Sequence, residues 1–482
     1  MAMNSIWSKT VDAPPARPAL EGSHTADVAV IGGGLAGILT AYFLKQAGRN
    51  PVVLEARQVG GGQTQNTTAK VTSQHGLIYG MLLEKFGEDR ARQYLHANQT
   101  AVERYRQIIR EKGIACDWEE CPAYLYSTLD EKPLQMEEKA ARVLGMQADF
   151  TTETELPFRV KGALRFEHQA RFHPLKFLYA VASDCTVYEN TPVLEVDKQT
   201  LKTEHGELYA DEVVFATHFP FVNHPGYYFA RMHQERSYAI ALHHAPRMEG
   251  VYLGVDGEGL SFRSAQDCLV LGGGSHRTGE NSKGGQYELL KRRAGEFWPG
   301  SKEVALWSAQ DCISMDGVPY IGPYSSATKH WYVATGFQKW GMTSSMAAAS
   351  ILTHAILGKK DPDAEVFSPQ RFVLSASAKT LLQDSAKAVQ GITRGFLSIP
   401  PSEMDALPCG HGGVVEYEGE AIGVYKEEDG TSHLVSARCP HLGCRLEWNP
   451  DEKSWDCPCH GSRFDFYGNL IDNPAQEGLQ HA

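Results

Sequence analysis

The chain reads as an α/β domain interrupted by an inserted α+β domain and followed by a small antiparallel all-β module. Three observations carry that reading. Asp27–Ile31 has the look of a short buried strand, and it runs into Gly32-Gly-Gly34-Leu35-Ala36-Gly37, a helical stretch Ile38–Ala47 and a second strand Val52–Leu54 ending in Glu55. Residues 225–275 alternate apolar and polar side chains, the period of half-buried strands. Two short Cys/His pairs, Cys439-x-His441 and Cys457-x-x-His460, lie beyond a Pro400-Pro401 boundary.

The first stretch is Gly-x-Gly-x-x-Gly in the context that gives it meaning, strand before and helix after. Gly32 permits the tight turn, Gly34 lets the backbone approach a pyrophosphate, and Gly37 brings helix and strand together. The helix N-terminus at Leu35 and Ala36 favours phosphate, and Glu55 is spaced to accept hydrogen bonds from ribose hydroxyls. This predicts a Rossmann-type dinucleotide-binding domain.

Segments downstream select the dinucleotide. Ala56-Arg57 and Gly60-Gly61-Gly62-Gln63-Thr64 resemble the second flavin-contacting segment of the D-amino-acid oxidase/sarcosine oxidase family. Asp316-Gly317-Val-Pro319-Tyr-Ile-Gly322 and Ala334-Thr-Gly336-Phe-Gln-Lys-Trp-Gly341-Met342-Thr343, followed by an apolar helix to Leu357, resemble the segments that close over the flavin ring in that family. Ala210–Thr217 resembles its strand returning to the nucleotide domain, and Val187 matches its adenine-contacting position. The resemblance spans about residues 25–360 and implies non-covalent FAD, with Val193 and Thr217 completing the contact set. Cys312 does not match the family's covalent tether. The implied division is an FAD domain of 25–76, 150–225 and 305–360, and a substrate domain of 77–149 and 226–304.

Within the insertion, 77–112 reads as two amphipathic helices, 131–147 as another, 151–172 as strands, and 225–275 as a sheet roofing the flavin. The Pro- and Ala-rich residues 1–24 are expected to wrap the surface. Residues 361–401 form a linker in which Leu374, Ala378, Leu381, Leu382, Ala386, Val389, Ile392 and Phe396 keep helical spacing, a stripe for packing on the flavin domain or lying on a membrane surface.

The C-terminal pairs supply two thiolates and two imidazoles. Cys2His2 is also zinc's preference, but zinc fingers place both thiols first, whereas here each half mixes Cys and His. The pattern resembles the Rieske 2Fe–2S family over about residues 402–482, with Cys439, His441, Cys457 and His460 as implied ligands. The resemblance further implies a Cys444–Cys459 disulfide tying the loops together, a Ser462 hydroxyl bonded to a bridging sulfide, and a covering loop at Pro474-Ala475. Phe464 departs from it: the cytochrome bc/b6f branch has Tyr there, and one fewer hydrogen bond to sulfur lowers the reduction potential.

The net charge is −12, and 15 acidic residues against 5 Lys and Arg after residue 400 account for most of it. An acidic module is poorly suited to nucleic acid and suits a basic docking surface, within the chain or on an electron-donor or electron-acceptor protein. Residues 1–18 show no apolar targeting core and no twin arginine. The longest apolar run, Val28–Leu44, is interrupted by four glycines, so no integral membrane segment is expected. The ten cysteines form no secreted framework, and the protein is read as cytoplasmic.

Flavin and cluster in one chain imply conversion of a two-electron oxidation into single-electron steps. The flavin-family resemblance implies a small amine or amino-acid-like substrate. Candidate catalytic residues are Lys70 after the flavin loop, His276 and Arg277 at the end of a sheet strand, and Lys339 inside the C-terminal flavin motif. Arg277 is placed to clamp a carboxylate or to form a structural ion pair. Trp340 and Tyr238 fit packing, His173 a turn, and Cys409 a free thiol. Two other readings stand beside this one: an NAD(P)H-linked reductase, with Leu271–Arg277 as an incomplete second glycine turn, and a non-enzymatic redox sensor. A Rieske oxygenase fits less well, because no facial iron triad is evident.

Overall fold

The computed structural model describes residues 4–371, 407–417 and 420–481. Its first layer is an eight-stranded sheet with strand Gly22–Ile31 at the centre. Pro51–Leu54 and then Thr186–Tyr188 lie on one side; Gly206–Phe215 and then Thr328–Thr335 lie on the other, all parallel. Parallel strands are covered on both faces, and Val28–Ile31 and Pro51–Leu54 are accordingly buried at every residue. Val28, Val30, Val53 and Val214 enter one core, under helices Leu35–Gln46 and Gly341–Ile356. Ala29, Ile31, Leu54 and Phe215 enter the other.

The second layer is a nine-stranded sheet, in path order Lys302–Ser314, Met232–His243, Cys268–Arg277, Ser261–Ala265, Val251–Gly254, Glu119–Ser127, Gly162–Arg171 and Lys70–Val71, with Asp149–Thr151 beside Gly162–Arg171. Neighbours are antiparallel except Val251–Gly254 with Glu119–Ser127. Its strand Met232–His243, next to the edge strand, is two-sided. Ala239 and Ala241 pack into the core shared with the nucleotide-binding layer, while Tyr238, Ile240 and Leu242 pack into a core beneath helix Gln286–Phe297. The expected helices occur as Ile78–Phe86, Glu88–Lys112 and Lys132–Val143.

Two expectations are corrected. Gly162–Arg171 and Lys302–Ser314 fall largely in ranges assigned to the FAD domain, yet both are strands of the second sheet. A strand's sheet is set by its partner, and Lys302–Ser314 finds twelve register partners along Met232–His243. The N-terminal residues are not merely surface wrapping: Ile6, Trp7 and Leu20 are buried, and the Trp7 indole N–H donates to Thr67 O at 2.7 Å. An apolar indole with one donor is buried where that donor finds a carbonyl.

The start of the linker is pinned by Arg371, whose Nε donates to Asp316 Oδ2 at 2.7 Å with both side chains buried. The amphipathic stripe 374–396 lies outside the described residues. Among those described, no helix is long and apolar enough to cross a membrane. The C-terminal module is two small antiparallel sheets, one of Gly412–Tyr417, Glu420–Lys426 and Ser432–Ser436, the other of Glu447–Asn449, Ser454–Asp456, Arg463–Asp465 and Leu470–Asp472.

Candidate functional site

The glycine turn is closed so tightly that side chains are excluded from it. Gly32 has φ +110°, and a Cβ there would meet Ala216 O at 2.5 Å. A Cβ on Gly37 would lie 1.9 Å from Gly32 O, so helix and strand touch only because this residue has none. Gly34 caps helix Leu35–Gln46, and the Leu35 N–H is held by Thr64 Oγ1 at 3.1 Å. Glu55 accepts from Gly33 N–H at 2.6 Å and Arg57 N–H at 2.9 Å. Burial raises its pKa against those bonds. Val187 is in the strand pairing with Pro51–Leu54, and Thr217 follows the strand Gly206–Phe215. The backbone shape and donor set fit a dinucleotide.

The flavin-motif segments converge on the same layer. Gly317 and Gly336 have φ +79° and +69°, and Gly341 opens the helix Gly341–Ile356. The Met342 carbonyl accepts from Tyr105 Oη at 2.8 Å, and Thr343 Oγ1 donates to Thr72 O at 3.0 Å. Sequence reasoning missed His75, which contacts Tyr94 Oη at 2.6 Å and stacks on Trp340 with centroids 4.7 Å apart. Burial lowers its pKa to about 3, so it is neutral at pH 7. Trp340 packs, as expected.

The four candidate catalytic residues have different fates. Lys70 Nζ donates to Thr68 Oγ1 at 3.1 Å; burial first, then the Arg263 charge, lowers its pKa to about 7. Lys339 reaches Glu235 Oε2 at 3.0 Å and Ser275 Oγ. His276 Nε2 meets Tyr238 Oη at 3.0 Å. Arg277 turns to the C-terminal module, donating to Pro458 O at 3.3 Å and Cys459 O at 3.5 Å. Arg277 thus contributes to a joint within the chain. Its strand Cys268–Arg277 pairs on both sides, which leaves no second glycine turn at 271–277.

The Cys/His loops face one another. Cys439 and Cys457 are buried, and their thiols are in hydrogen-bond contact. The rings of His441 and His460 have centroids 4.9 Å apart at 90°. Burial lowers them to about 4 and 3, so both are neutral and able to ligate. Both Nδ1 atoms are buried without a hydrogen-bond partner among the described residues. Such orphans in a buried site are what two ligating nitrogens look like without their metal. Cys444 and Cys459 form a disulfide bridging the loops. The Ser462 hydroxyl contacts the Cys439 thiol and accepts from Ala475 N–H at 3.0 Å, tying the Pro474-Ala475 loop down. The residues fit a 2Fe–2S cluster with two imidazole ligands on one side.

The cluster loops are docked onto the rest of the chain. His441 Nε2 lies 3.0 Å from Asn223 Oδ1; with Nδ1 free to ligate, Nε2–H is the donor. Phe229 sets its ring edge-on to His460 at 5.7 Å. Gln234 Nε2 donates to His460 O, and Gln310 Nε2 to Gly461 O, both at 2.7 Å. Asn473 Nδ2 donates to Thr217 O at 3.0 Å, and Gln63 Nε2 to Asp472 Oδ1 at 3.2 Å. Arg57 also donates to Leu470 and Ile471 carbonyls. None of these partners was legible in sequence apart from Arg57, Gln63 and Thr217, which entered as nucleotide contacts.

Comparison with known proteins decides the family. The model of the FAD dependent oxidoreductase (DAO) family matches residues 27–355, and that of the Rieske 2Fe-2S domain matches residues 400–482. The chain belongs to the DAO family of FAD-dependent oxidoreductases, with a Rieske domain at its C-terminus. This DAO-family oxidoreductase is 36% identical to a Bacillus subtilis (strain 168) protein described as "Putative Rieske 2Fe-2S iron-sulfur protein YhfW", over 99% of this chain and 97% of that one. Its Rieske part is 36% identical over 85 residues to cytochrome b6-f complex iron-sulfur subunit 2 of Nostoc sp., covering 17% of this chain and 48% of the relative. The DAO part has the fold of glycine oxidase from Geobacillus kaustophilus, with TM-score 0.61 and 18% identity over 73% of this chain and 100% of that one. The oxidoreductase therefore uses FAD and a 2Fe–2S cluster.

Proposed function

We propose that this chain oxidises a small amine or amino-acid-like substrate at its flavin and sends the electrons singly, through its own Rieske cluster, to an external acceptor. One observation carries the reading: the cluster loops are seated on Gln63 and Thr217, from segments that bear the flavin motifs, and on Gln234 and Gln310 of the adjoining second sheet. A module meant only to signal to a partner has no need of that seat. The resemblance to glycine oxidase supports the substrate class.

When bound, the flavin takes a hydride equivalent and the cluster carries one electron at a time. The rest falls to the protein. Gly32, Gly34, Leu35, Ala36 and Gly37 would cradle the pyrophosphate; Glu55, Ala56, Arg57, Val187 and Val193 the adenosine. Gly62, Gln63, Thr64, Thr217, Gly317, Gly336, Gly341, Met342 and Thr343 would line the flavin. Cys439, His441, Cys457 and His460 would hold the cluster. Lys70, half neutral near pH 7, would take the substrate's ammonium proton at Nζ, with Lys339 and His276 orienting the pocket wall. Anaerobic mixing of purified holoenzyme with a panel of small primary and secondary amines tests the reading. Flavin bleaching by at least one supports it; an inert flavin across the panel, with a cluster that dithionite still reduces, favours the sensor.

A further inference from the structure

We propose that Gln310 and Gln234 are the positioning residues that couple the flavin side of the molecule to the cluster loop, through one continuous hydrogen-bonded path across the second sheet. The inference rests on the reading above, that electrons pass from flavin to cluster within the chain.

The two residues stand on adjacent strands, Lys302–Ser314 and Met232–His243, and are 0% and 1% exposed. Gln310 N–H donates to Gln63 Oε1 at 2.8 Å, on the glycine-rich loop. Its side-chain Nε2 donates to Gln234 Oε1 and Gly461 O, each at 2.7 Å. Gln234 Nε2 in turn donates to His460 O at 2.7 Å and Asn473 O at 3.1 Å. Two buried amides so completely bonded hold their neighbours in one arrangement. Gly461 makes room for them: a Cβ there would come 2.6 Å from Gln234 Cβ.

The other contacts of the joint make different connections: Asn223 meets the ring of His441, Asn473 reaches the Thr217 carbonyl, and Gln63 Nε2 stops at the Asp472 carboxylate. Arg236 with Glu452, and Asn281 with Asn449 and Asp451, end on side chains of the 449–452 turn, away from the Cys/His ligands. Among the described residues, the glutamine path is the one that begins at a side chain of the Gly62-Gln63-Thr64 loop and ends on the carbonyl of a ligand residue. Each transfer would take one electron from a bound, reduced flavin to a bound cluster, where it would convert one ferric ion to ferrous. An external one-electron acceptor then removes it. Two such transfers would match the two electrons lost when an amine C–H and N–H become an imine, and the two protons lost with them would pass to solvent.

The test uses holoenzyme variants Gln310→Met and Gln234→Met, which keep volume and lose the side-chain donors. The flavin is reduced by a light flash with an external photoreductant, without oxygen, and the flavin and cluster absorbance are followed together. The proposal expects flavin-to-cluster transfer slowed at least tenfold in each variant, with iron content and the EPR spectrum of the dithionite-reduced cluster unchanged. Asn281→Ala, which loosens the same joint elsewhere, is expected to stay within twofold of wild type. Wild-type rates in the glutamine variants, or an equal loss in Asn281→Ala, would overturn the proposal and leave the two-centre reading standing. No transfer in the wild type itself would overturn that reading, and the proposal with it.

Discussion

Arg236 and Glu452 form an ion pair across the joint between the DAO part and the Rieske domain, Nε to Oε2 at 3.0 Å, with side chains only 2% and 5% exposed. Arg463 also reaches Glu452 at 3.0 Å, and its Nε lies 3.0 Å from Asp456 Oδ1. The joint therefore contains a buried charge network rather than a wet contact between mobile domains. Removing one member of a buried pair leaves the other uncompensated, at about 3–5 kcal/mol. Glu452→Gln is expected to cost about that much in chemical denaturation and to expose the joint to limited proteolysis.

The same pair gives a pH dependence. Burial would raise the Glu452 pKa, but the Arg236 and Arg463 charges outweigh it and hold the pKa at about 2, against 4.5 ordinarily. A depressed carboxylate contributes stability that is full above its unfolded pKa and is lost as pH falls through the folded one. Docking of the Rieske domain should weaken progressively from about pH 4.5 towards 2, and Glu452→Gln should flatten that limb in a proteolysis or fluorescence titration.

Asn223 holds His441 by the ring nitrogen that does not ligate. Loss of such an outer partner weakens metal binding roughly 10–100-fold. Asn223→Ala should release iron to a chelator about tenfold faster than wild type while FAD stays bound. Cys457→Ser should contain no 2Fe–2S cluster at all, by iron assay and by EPR.

The glycine turn predicts an opposite pattern. In Gly37→Ala a Cβ would collide with Gly32 O at 1.9 Å, a backbone atom that cannot step aside. The variant is expected to lose most of its FAD, read as the flavin-to-protein absorbance ratio, with the iron-bearing domain intact.

Lys70 carries a pH signature of its own. Its pKa of about 7 lies far below the ordinary 10.5 because the charged form is buried and faces Arg263. A base is active once deprotonated, so the rate of flavin reduction by an amine should rise with pH and level off above about 7. Lys70→Met should lose that limb and at least 100-fold in rate.

What was legible in the sequence was what chemistry confines to short segments. Gly32, Gly34 and Gly37 sit within one short segment, and Cys439, His441, Cys457 and His460 on two short loops, compact enough for a family resemblance to be carried by a few residues each. The joint was not legible. Gln234, Arg236 and Tyr238 alternate along an ordinary-looking strand, and nothing in that alternation says that this face meets Gly461 and Glu452, more than two hundred residues on. Arg277 shows the same limit: a sheet-end arginine is compatible with a substrate clamp or a structural ion pair, and only tertiary pairing shows its bonds to the Pro458 and Cys459 carbonyls. Trp7 was hidden by the Pro-rich composition around it.

The central claim is that the two centres work as one electron path, and the most direct test is anaerobic reduction by an amine substrate, followed by freeze-quench EPR alongside flavin absorbance. The account predicts that the flavin bleaches first and that the reduced-cluster signal then grows in the same molecules, without added mediator. A flavin that bleaches fully while the cluster stays oxidised until a mediator is supplied would contradict it.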